Sequence, residues 1–390
     1  MSIGVNDRIP MIPPYKVLSR VSILAEKQDY NHEMMNVPEM WKSTRGDAVK
    51  VVVLDTGVPD HVDIKVAGGK SFIPGYMTDS NGHGTHVGGI IAAIANNGMG
   101  VAGIAPECEC YYGAVLDGGG SGSIDGIVEG IKWAVDEVGA HVINMSLGIS
   151  AGAPIFKELE DACKYAESKG VVVVCAAGNE YGSVGQPACY DSVIAVAAVD
   201  SSMQHADFSN IGPEVDFASG GVNVYSTYLN NGYAKLSGTS MACPAMAGVI
   251  ALIMADEAGD TGKWLNKNEV VEKLKKIAYD VGPEGFDEIY GHGIPVFAKH
   301  EEEEEHELPN DPEEPVDEPV EEPVEEPVDK PDDGISPCRL GLPMAKVFIN
   351  AAVEAMDRPG NASEGGNNAS EGIEAGLRAL QKFIGRIERK

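Results

Sequence analysis

Three short glycine-rich segments of the chain each carry one of the residue types that nucleophilic hydrolysis requires. Asp55 lies in VKVVVLDTG, His83 in NGHGTHVGG and Ser240 in LSGTSMACPAMAG. A serine hydroxyl can attack an acyl group when an imidazole accepts its proton and a carboxylate orients that imidazole. We therefore predict that these three residues form one catalytic site with Ser240 as the nucleophile.

Each residue has a simpler interpretation when it is taken alone. Asp55 could cap a turn after a strand, and Ser240 or Thr239 could cap the following helix. His83 and His86 could bind zinc, but zinc helices usually space two histidines four residues apart with a glutamate between them, and this segment has neither feature. The combination favours catalysis, because a cap explains only one hydroxyl.

The elements that would position these residues alternate along the chain. Short β-branched runs and segments of helical periodicity take turns, which predicts βαβ units and a parallel sheet. Strands are expected at Val49–Leu54, Cys110–Val115, Val142–Met145, Val171–Ala176 and Val193–Ala198, and helices at about 84–95, 124–138, 155–169, 241–256 and 268–278. Open α/β sheets hold their sites at the carboxyl ends of strands, where Asp55 falls.

The segments DTG, HGTH and GTSMA, in the order Asp, His, Ser, resemble the subtilisin family over about residues 38–298. The resemblance implies an α/β fold of three layers, with helices on both sides of a mostly parallel central sheet. It implies serine endopeptidase activity through an acyl-enzyme intermediate. It also assigns Asn179, in VVVVCAAGNE, as an oxyanion donor beside the Ser240 backbone N–H. The alternatives are a catalytically silent scaffold or binding protein, and an esterase or peptide ligase with the same chemistry.

The same resemblance implies a cleft that binds a peptide substrate as an added β-strand. One wall matches NMSLG, the other matches GGGSGS, and small residues match the floor of the P1 pocket. These residues are Ser146, Leu147 and Gly148, then Gly120, Ser121 and Gly122, and finally Ala177, Gly178 and Gly185. Small floor residues imply an open pocket for apolar P1 side chains and broad specificity.

The segment ANNGMGVAGIAP resembles the calcium loop of the family, so structural Ca²⁺ is the expected cofactor. The implied ligands are side-chain oxygens of Asp63 and Asn97 and main-chain carbonyls of Ala95, Met99 and Val101. Gln28 lies near the distance expected for a further ligand from upstream. The alternative is a metal-free surface loop rich in Asn and Gly.

The first 20 residues contain IPMIPPYKV, which resembles the short inhibitory extension of intracellular subtilisins. In that group the extension covers the active site until it is removed. Proline suits this role because it fixes φ and removes a backbone donor. Pro13-Pro14 is one proline more than the family pattern, and we expect cleavage near residues 16–21. The alternative is a surface arm without an inhibitory role.

Three further positions depart from the family pattern. Gly88 replaces the usual alanine, Cys243 the usual threonine, and Ala245-Met246 the usual His-Val pair. None is a catalytic group, so altered helix packing is the expected effect. A thiol close to Ser240 could also make the enzyme sensitive to thiol reagents.

Composition limits the possible partners and the compartment. Of the formal charge of −31, residues 301–333 supply −17, from 18 acidic residues and one lysine, and the rest supplies −14. Such acidity argues against nucleic acid, and no apolar run suits a membrane span or secretory signal. The seven cysteines form an odd set without metal-site spacing. We expect a cytoplasmic enzyme with polypeptide substrates, its own extension as inhibitor, and a homodimer by family analogy.

Composition also divides the 390 residues into four regions. An N-terminal inhibitory extension (1–20) precedes the peptidase domain (21–299). An acidic Pro/Glu-rich linker (300–333) follows, because its like charges and repeated proline prevent a packed core. The last region (334–390) has helical periodicity and is predicted to form a small helical tail.

Overall fold

The apolar β-branched runs form a seven-stranded sheet in which all neighbouring strands are parallel. The computed structural model describes residues 7–12, 25–298 and, as backbone only, 19–21. The strands are β1 (Ile9–Pro10), β2 (Ser19–Val21), β3 (Lys50–Asp55), β4 (Val66–Ser71), β5 (Glu109–Ala114), β6 (Ser121–Gly122), β7 (Val142–Met145), β8 (Val172–Ala176), β9 (Ile194–Val199), β10 (Phe217–Gly220), β11 (Val224–Tyr228), β12 (Gly232–Leu236), β13 (Ala278–Tyr279) and β14 (Ile294–Pro295).

The order of strands in the sheet, β10-β9-β8-β7-β3-β5-β4, creates a crevice beside β3. After β3 the chain builds β4 and β5 on one side, and it then builds β7 to β10 on the other. Connections that leave in opposite directions open a crevice at the carboxyl ends of the strands, the usual location of a site. The C-terminal residue of β3 is Asp55.

Helices on both faces complete three layers, as predicted. They are α1 (Tyr30–Met34), α2 (Val37–Met40), α3 (His83–Ala92), α4 (Ile124–Trp133), α5 (Lys157–Ser168), α6 (Thr239–Thr261) and α7 (Lys267–Ile277), and α4 continues as one π-helical turn over Ala134–Val138. The helix α6 packs on α3 and on β7 to β10, while α4 packs on α5 and β3. Because both faces are covered, β7 to β10 are buried along their whole length.

All five predicted strands and all five predicted helices are present, with ends shifted by at most five residues. The sequence pattern missed β4, β10 and the hairpin of β11 and β12. In β4 the run VAGGKS lacks a continuous apolar pattern because it is an edge strand with an exposed start. The acidic linker, the helical tail and residues 13–18 lie outside the described residues, so the proposed domain limits stay predictions.

Two departures from the family pattern have a packing explanation. A Cβ atom on Gly88 would lie 2.5 Å from the hydroxyl oxygen of Tyr112, so the absence of a side chain makes room for a fully buried tyrosine. The Cys243 thiol is completely buried against the side-chain oxygen of Asn144 and the main-chain carbonyl oxygen of Val174, and burial raises its pKa. A buried, protonated thiol is inert, so the predicted sensitivity to thiol reagents is not expected at this residue.

One helix in the described part of the chain, α6, is long and apolar enough to cross a membrane by length and composition. However, 94% of its most apolar window is buried inside the protein. It is therefore the central helix of the core, and it carries Ser240 as its second residue.

Candidate active site

The end of β3 and the start of α3 bring the predicted aspartate and histidine together. The Nδ1 atom of His83 lies 2.8 Å and 3.0 Å from the two carboxylate oxygens of Asp55. Both side chains are buried, at 0% and 1% exposure. Because a carboxylate can only accept, Nδ1 carries a proton, and the neutral imidazole presents Nε2 as a base.

A second carboxylate, Asp79, fixes the entry into the catalytic helix. Its Oδ1 accepts hydrogen bonds from the Thr56 hydroxyl and from the backbone N–H groups of Asn81 and Gly82, each at 2.9 Å. Its Oδ2 accepts from the backbone N–H and the hydroxyl of Thr85 at 2.8 Å and 2.7 Å. Asp79 therefore ties the residue after Asp55 to the first turn of α3.

The other histidine of HGTH has a structural role. The Nε2 atom of His86 lies 3.1 Å from the carbonyl oxygens of both Val224 and Ala234, so it must donate. Burial lowers the pKa of His86 to about 3. A neutral histidine whose Nε2–H donates to two carbonyl oxygens cannot bind zinc through that atom. This removes the main support for zinc binding by His83 and His86.

The nucleophile lies across the crevice at the start of α6. The Ser240 hydroxyl donates to the carbonyl oxygen of Ser146 at 3.1 Å, and Ser240 is 5% exposed. A hydroxyl has one proton, so it must turn from this carbonyl toward His83 before it attacks. At the second position of the helix, the backbone N–H of Ser240 belongs to the first turn, which stabilises negative charge.

Thr239 orients the predicted oxyanion donor, Asn179. The Oδ1 atom of Asn179 accepts from the backbone N–H of Thr239 at 2.8 Å and from its hydroxyl at 2.9 Å. Two donors at Oδ1 define the orientation of the amide and leave Nδ2 to face the substrate. From the sequence, Thr239 was predicted only as a possible helix cap, and its role in holding Asn179 was missed.

A buried amide, Asn210, holds the loop that carries Asn179. Its Nδ2 donates to the carbonyl oxygens of Ala177 and Ser183 and to the Glu180 carboxylate at 2.9–3.1 Å. Its Oδ1 accepts from the backbone N–H groups of Glu180 and Gly182. Neither Asp79 nor Asn210 was predicted, because most of their partners are backbone groups that residue types do not reveal.

The predicted floor residues all line one pocket next to Ser240. Segments 147–150, 176–180 and 185–186 form it with Asn210, Thr239 and Ser240. A Cβ on Gly185 would lie 2.2 Å from the carbonyl oxygen of Ile149, and Gly178 has a φ of +111° beside Asn210. These positions therefore need glycine. Glu180 adds a carboxylate that was not predicted from the sequence.

The two predicted cleft walls face each other, and part of the N-terminal extension lies between them. The strand β1 pairs antiparallel with β6, with Ile9 opposite Gly122. The Met11 backbone N–H donates to the carbonyl oxygen of Gly120 at 3.1 Å, and Gly148 N–H donates to the carbonyl oxygen of Met11 at 2.9 Å. The extension thus bridges the same walls that were predicted to bind substrate.

The predicted calcium residues also come together. Asp63 is fully buried, and burial raises its pKa. Its Oδ1 lies 2.5 Å from Nδ2 of Asn97, and its Oδ2 accepts from the Val101 backbone N–H at 3.1 Å. Ala95 and Met99 lie in the same loop, where Met99 N–H donates to Asn97 Oδ1 at 2.9 Å.

An upstream residue that contacts this loop is Glu26, and a ligand role for Gln28 stays a prediction. The Glu26 carboxylate accepts from the backbone N–H groups of Asn97 and Gly98. Between residues 25 and 298 and in segment 7–12, no group of three or more His, Cys, Asp or Glu side chains could hold a metal. A cation here would depend on amide and main-chain oxygens, which suit calcium, and it would need the Asn97 amide to turn Oδ1 inward.

A buried Asp–His pair, a serine at a helix start and an oriented asparagine define a serine hydrolase. A profile described as "Subtilase family" matches residues 46–293. The chain belongs to the subtilase family, and its hydrolase site is of the subtilisin type.

Individual relatives agree with this membership. Subtilisin DY of Bacillus licheniformis is 45% identical over 258 residues, which are 64% of this chain and 89% of that protein. A thermostable alkaline protease of Halalkalibacterium halodurans is 45% identical over 253 residues, 64% of this chain and 66% of that protein. The minor extracellular protease of Bacillus subtilis is 38% identical over 286 residues, which are 72% of this chain and 43% of that protein. This chain thus spans about two thirds of the second relative and less than half of the third.

Proposed function

We propose that the protein is a serine endopeptidase that hydrolyses peptide bonds of intracellular proteins. The observation that carries this proposal is the buried pair of Asp55 and His83, which faces the crevice where Ser240 lies in the first turn of α6. The names of its relatives, which include subtilisins and alkaline proteases, agree with it. Broad cleavage with a preference for apolar P1 side chains follows from the small residues that line the pocket.

The chain supplies every group for acyl transfer. His83 Nε2 takes the Ser240 proton while the hydroxyl oxygen bonds to the substrate carbonyl carbon. The carbonyl oxygen becomes an oxyanion, which Asn179 Nδ2 and the Ser240 N–H stabilise. His83 then returns the proton to the leaving amine, and an acyl-enzyme remains. Water attacks it with His83 again as base, which restores the hydroxyl.

We also propose that removal of the extension activates the enzyme. The bonds of Met11 to Gly120 and Gly148 support this, because a substrate strand would need the same wall groups. Pro10 lies in β1 and has no N–H to donate. Mass spectrometry of wild-type and Ser240→Ala protein tests self-processing, and trimming near residues 16–21 that persists in the variant would exclude it.

We propose structural calcium in the loop around Asp63 and a cytoplasmic location. A buried carboxylate with a raised pKa gains from a cation, and Asn97 and the nearby carbonyls are oxygen donors. The six cysteines in the described part are all free, and five of them are buried, which suits a reducing compartment. A homodimer is proposed by analogy alone.

A panel of chromogenic peptides tests the proposed activity. Wild-type protein and Ser240→Ala protein are compared with calcium present and after chelation. Cleavage that disappears in the variant and declines on chelation supports both proposals. The endopeptidase proposal fails if processed protein shows no serine-dependent cleavage. The calcium proposal fails if chelation changes neither cleavage nor the melting temperature.

A further inference from the structure

A charged residue of the extension contacts the rim of the cleft beyond the paired strand. An Nη atom of Arg8 lies 2.7 Å from Oδ2 of Asp117 and donates to the carbonyl oxygen of Ser121 at 2.9 Å. The side chains of Arg8 and Asp117 are 45% and 32% exposed. The rim is therefore accessible to a side chain that arrives from solvent with a substrate.

The Asp117 carboxylate is fixed by its own loop. Its Oδ1 accepts from the backbone N–H groups of Gly119 and Ser121 at 2.8 Å and 3.0 Å. The Asp117 main chain also bonds to Ser121 and Gly120. One oxygen thus serves the turn while the other faces Arg8, so binding of a cation costs little ordering on this side.

The register of β1 relates this contact to a substrate. Arg8 immediately precedes Ile9, which pairs with Gly122, and it is three residues before Met11, whose N–H donates to Gly120. A substrate strand on the same wall would carry a side chain past Asp117 at the corresponding position.

We propose that Asp117 is a specificity-determining residue that favours a basic side chain in substrates. The substrate residue that corresponds to Met11 is the one whose N–H donates to the Gly120 carbonyl oxygen. The basic side chain is favoured three residues before it, at the position that corresponds to Arg8. This inference rests on the proposed endopeptidase function. Arginine is preferred to lysine, because its guanidinium can bond to the carboxylate and to the Ser121 carbonyl together.

The preference is modest, because the ion pair is exposed to solvent. Exposed pairs correspond to about a two- to five-fold change in an equilibrium or rate ratio. The preference also weakens with salt, since exposed charges are screened.

The test uses processed enzyme and peptides that differ at one position. A single arginine is moved from P2 to P6 of an otherwise neutral peptide, with glutamine at the same position as reference. The measured quantity is the arginine-to-glutamine ratio of kcat/KM for wild type and Asp117→Asn. The asparagine keeps an oxygen for the Gly119 and Ser121 N–H groups and removes the charge. Asp161→Asn, an exposed carboxylate on α5, is the charge-matched control.

We expect one position with a ratio of about two to five, falling to one in Asp117→Asn and unchanged in Asp161→Asn. Serine-dependent cleavage with a ratio near one at every position, or with a ratio that survives in Asp117→Asn, overturns the inference and leaves the proposed activity intact. A uniform loss of rate in Asp117→Asn does not affect the ratio. If processed wild type cleaves no peptide, the proposed activity fails, and this inference fails with it.

Discussion

The two sides of the catalytic crevice are held by different chemistry. On the side of His83, two buried carboxylates accept the hydrogen bonds: Asp55 binds the imidazole, and Asp79 binds the start of the helix that carries it. On the side of Ser240 the buried groups are neutral: Thr239 orients Asn179, and Asn210 binds the loop. The carboxylate that accepts from Asn179 N–H and from the Asn210 amide there, Glu180, is exposed to solvent. Hydrogen bonds to charged groups are stronger than neutral ones. The general base is therefore held more rigidly than the oxyanion site.

The largest effect is expected from Asp55→Asn. The asparagine amide has only one oxygen that can accept the hydrogen bond from His83 Nδ1–H, and it carries no charge to stabilise an imidazolium. We therefore expect kcat to fall by about 10⁴-fold, as in other serine proteases. Steady-state kinetics on one peptide measures it, with the exposed Asp60→Asn as control. A decrease in kcat of less than tenfold would contradict the conclusion that the carboxylates hold the His83 side more rigidly than the Ser240 side is held.

Asn179→Ala should come next. Removal of one oxyanion donor lowers kcat by about 10²–10³-fold, with little change in KM, because the interaction forms in the transition state. Thr239→Val, which keeps the backbone bond to Asn179 and loses the hydroxyl bond, should lower kcat less. If both variants lowered kcat equally, the orientation of the Asn179 amide would matter as much as the presence of its N–H donor.

Asp79→Asn is expected to affect both stability and rate. The NH₂ group of the asparagine would face N–H or O–H donors that now bind a carboxylate oxygen, so these buried donors would lose their acceptor. Such a loss costs about 1–3 kcal/mol of unfolding free energy. A shift of His83 by about 1 Å can lower kcat by up to about 10²-fold. Chemical denaturation and kinetics measure the two effects. The control is Asp200→Asn, a carboxylate that accepts two backbone N–H groups in a distant loop.

Asn210→Ala should have a smaller effect on kcat than Asp79→Asn. The loop keeps the bond from Gly178 N–H to the Thr239 hydroxyl, and Asn179 keeps both bonds from Thr239. The unfolding free energy should decrease by about 1–3 kcal/mol, because the backbone groups of Glu180 and Gly182 lose their acceptor. A kcat loss larger than that of Asp79→Asn would reverse the comparison.

At neutral pH the smallest effect is that of the titration of a buried histidine on the His83 side. Burial lowers the pKa of His86 to about 3, below its usual 6.5. Between these values the unfolded chain binds a proton that the folded protein does not, so stability decreases as the pH falls from 6.5. One such group contributes about 1.4 kcal/mol per pH unit. Unfolding of His86→Gln between pH 4 and 6 should show a slope reduced by one proton, and an unchanged slope would show that His86 does not contribute.

The sequence predicted the parts of this site that depend on side-chain identity. Asp55, His83 and Ser240 lie at the ends or starts of elements whose apolar periodicity is clear, so the topology of a parallel sheet indicated that they meet. Asn179 was assigned only by the resemblance to the family. Asp79 and Asn210 could not be recognised, because their partners are mainly backbone N–H and carbonyl groups. The contact of Glu26 with the calcium loop was missed for a similar reason, since its partners there are backbone N–H groups.

The contact between Gly88 and Tyr112 has a consequence for how such proteins can change. A methyl group at the glycine would overlap the phenol oxygen at 2.5 Å, so Gly88 cannot become the usual alanine of the family while Tyr112 keeps its place. The two sites are therefore expected to vary as a pair during divergence. Libraries that randomise the catalytic helix alone should recover glycine at this position, whereas libraries that also vary Tyr112 should admit alanine.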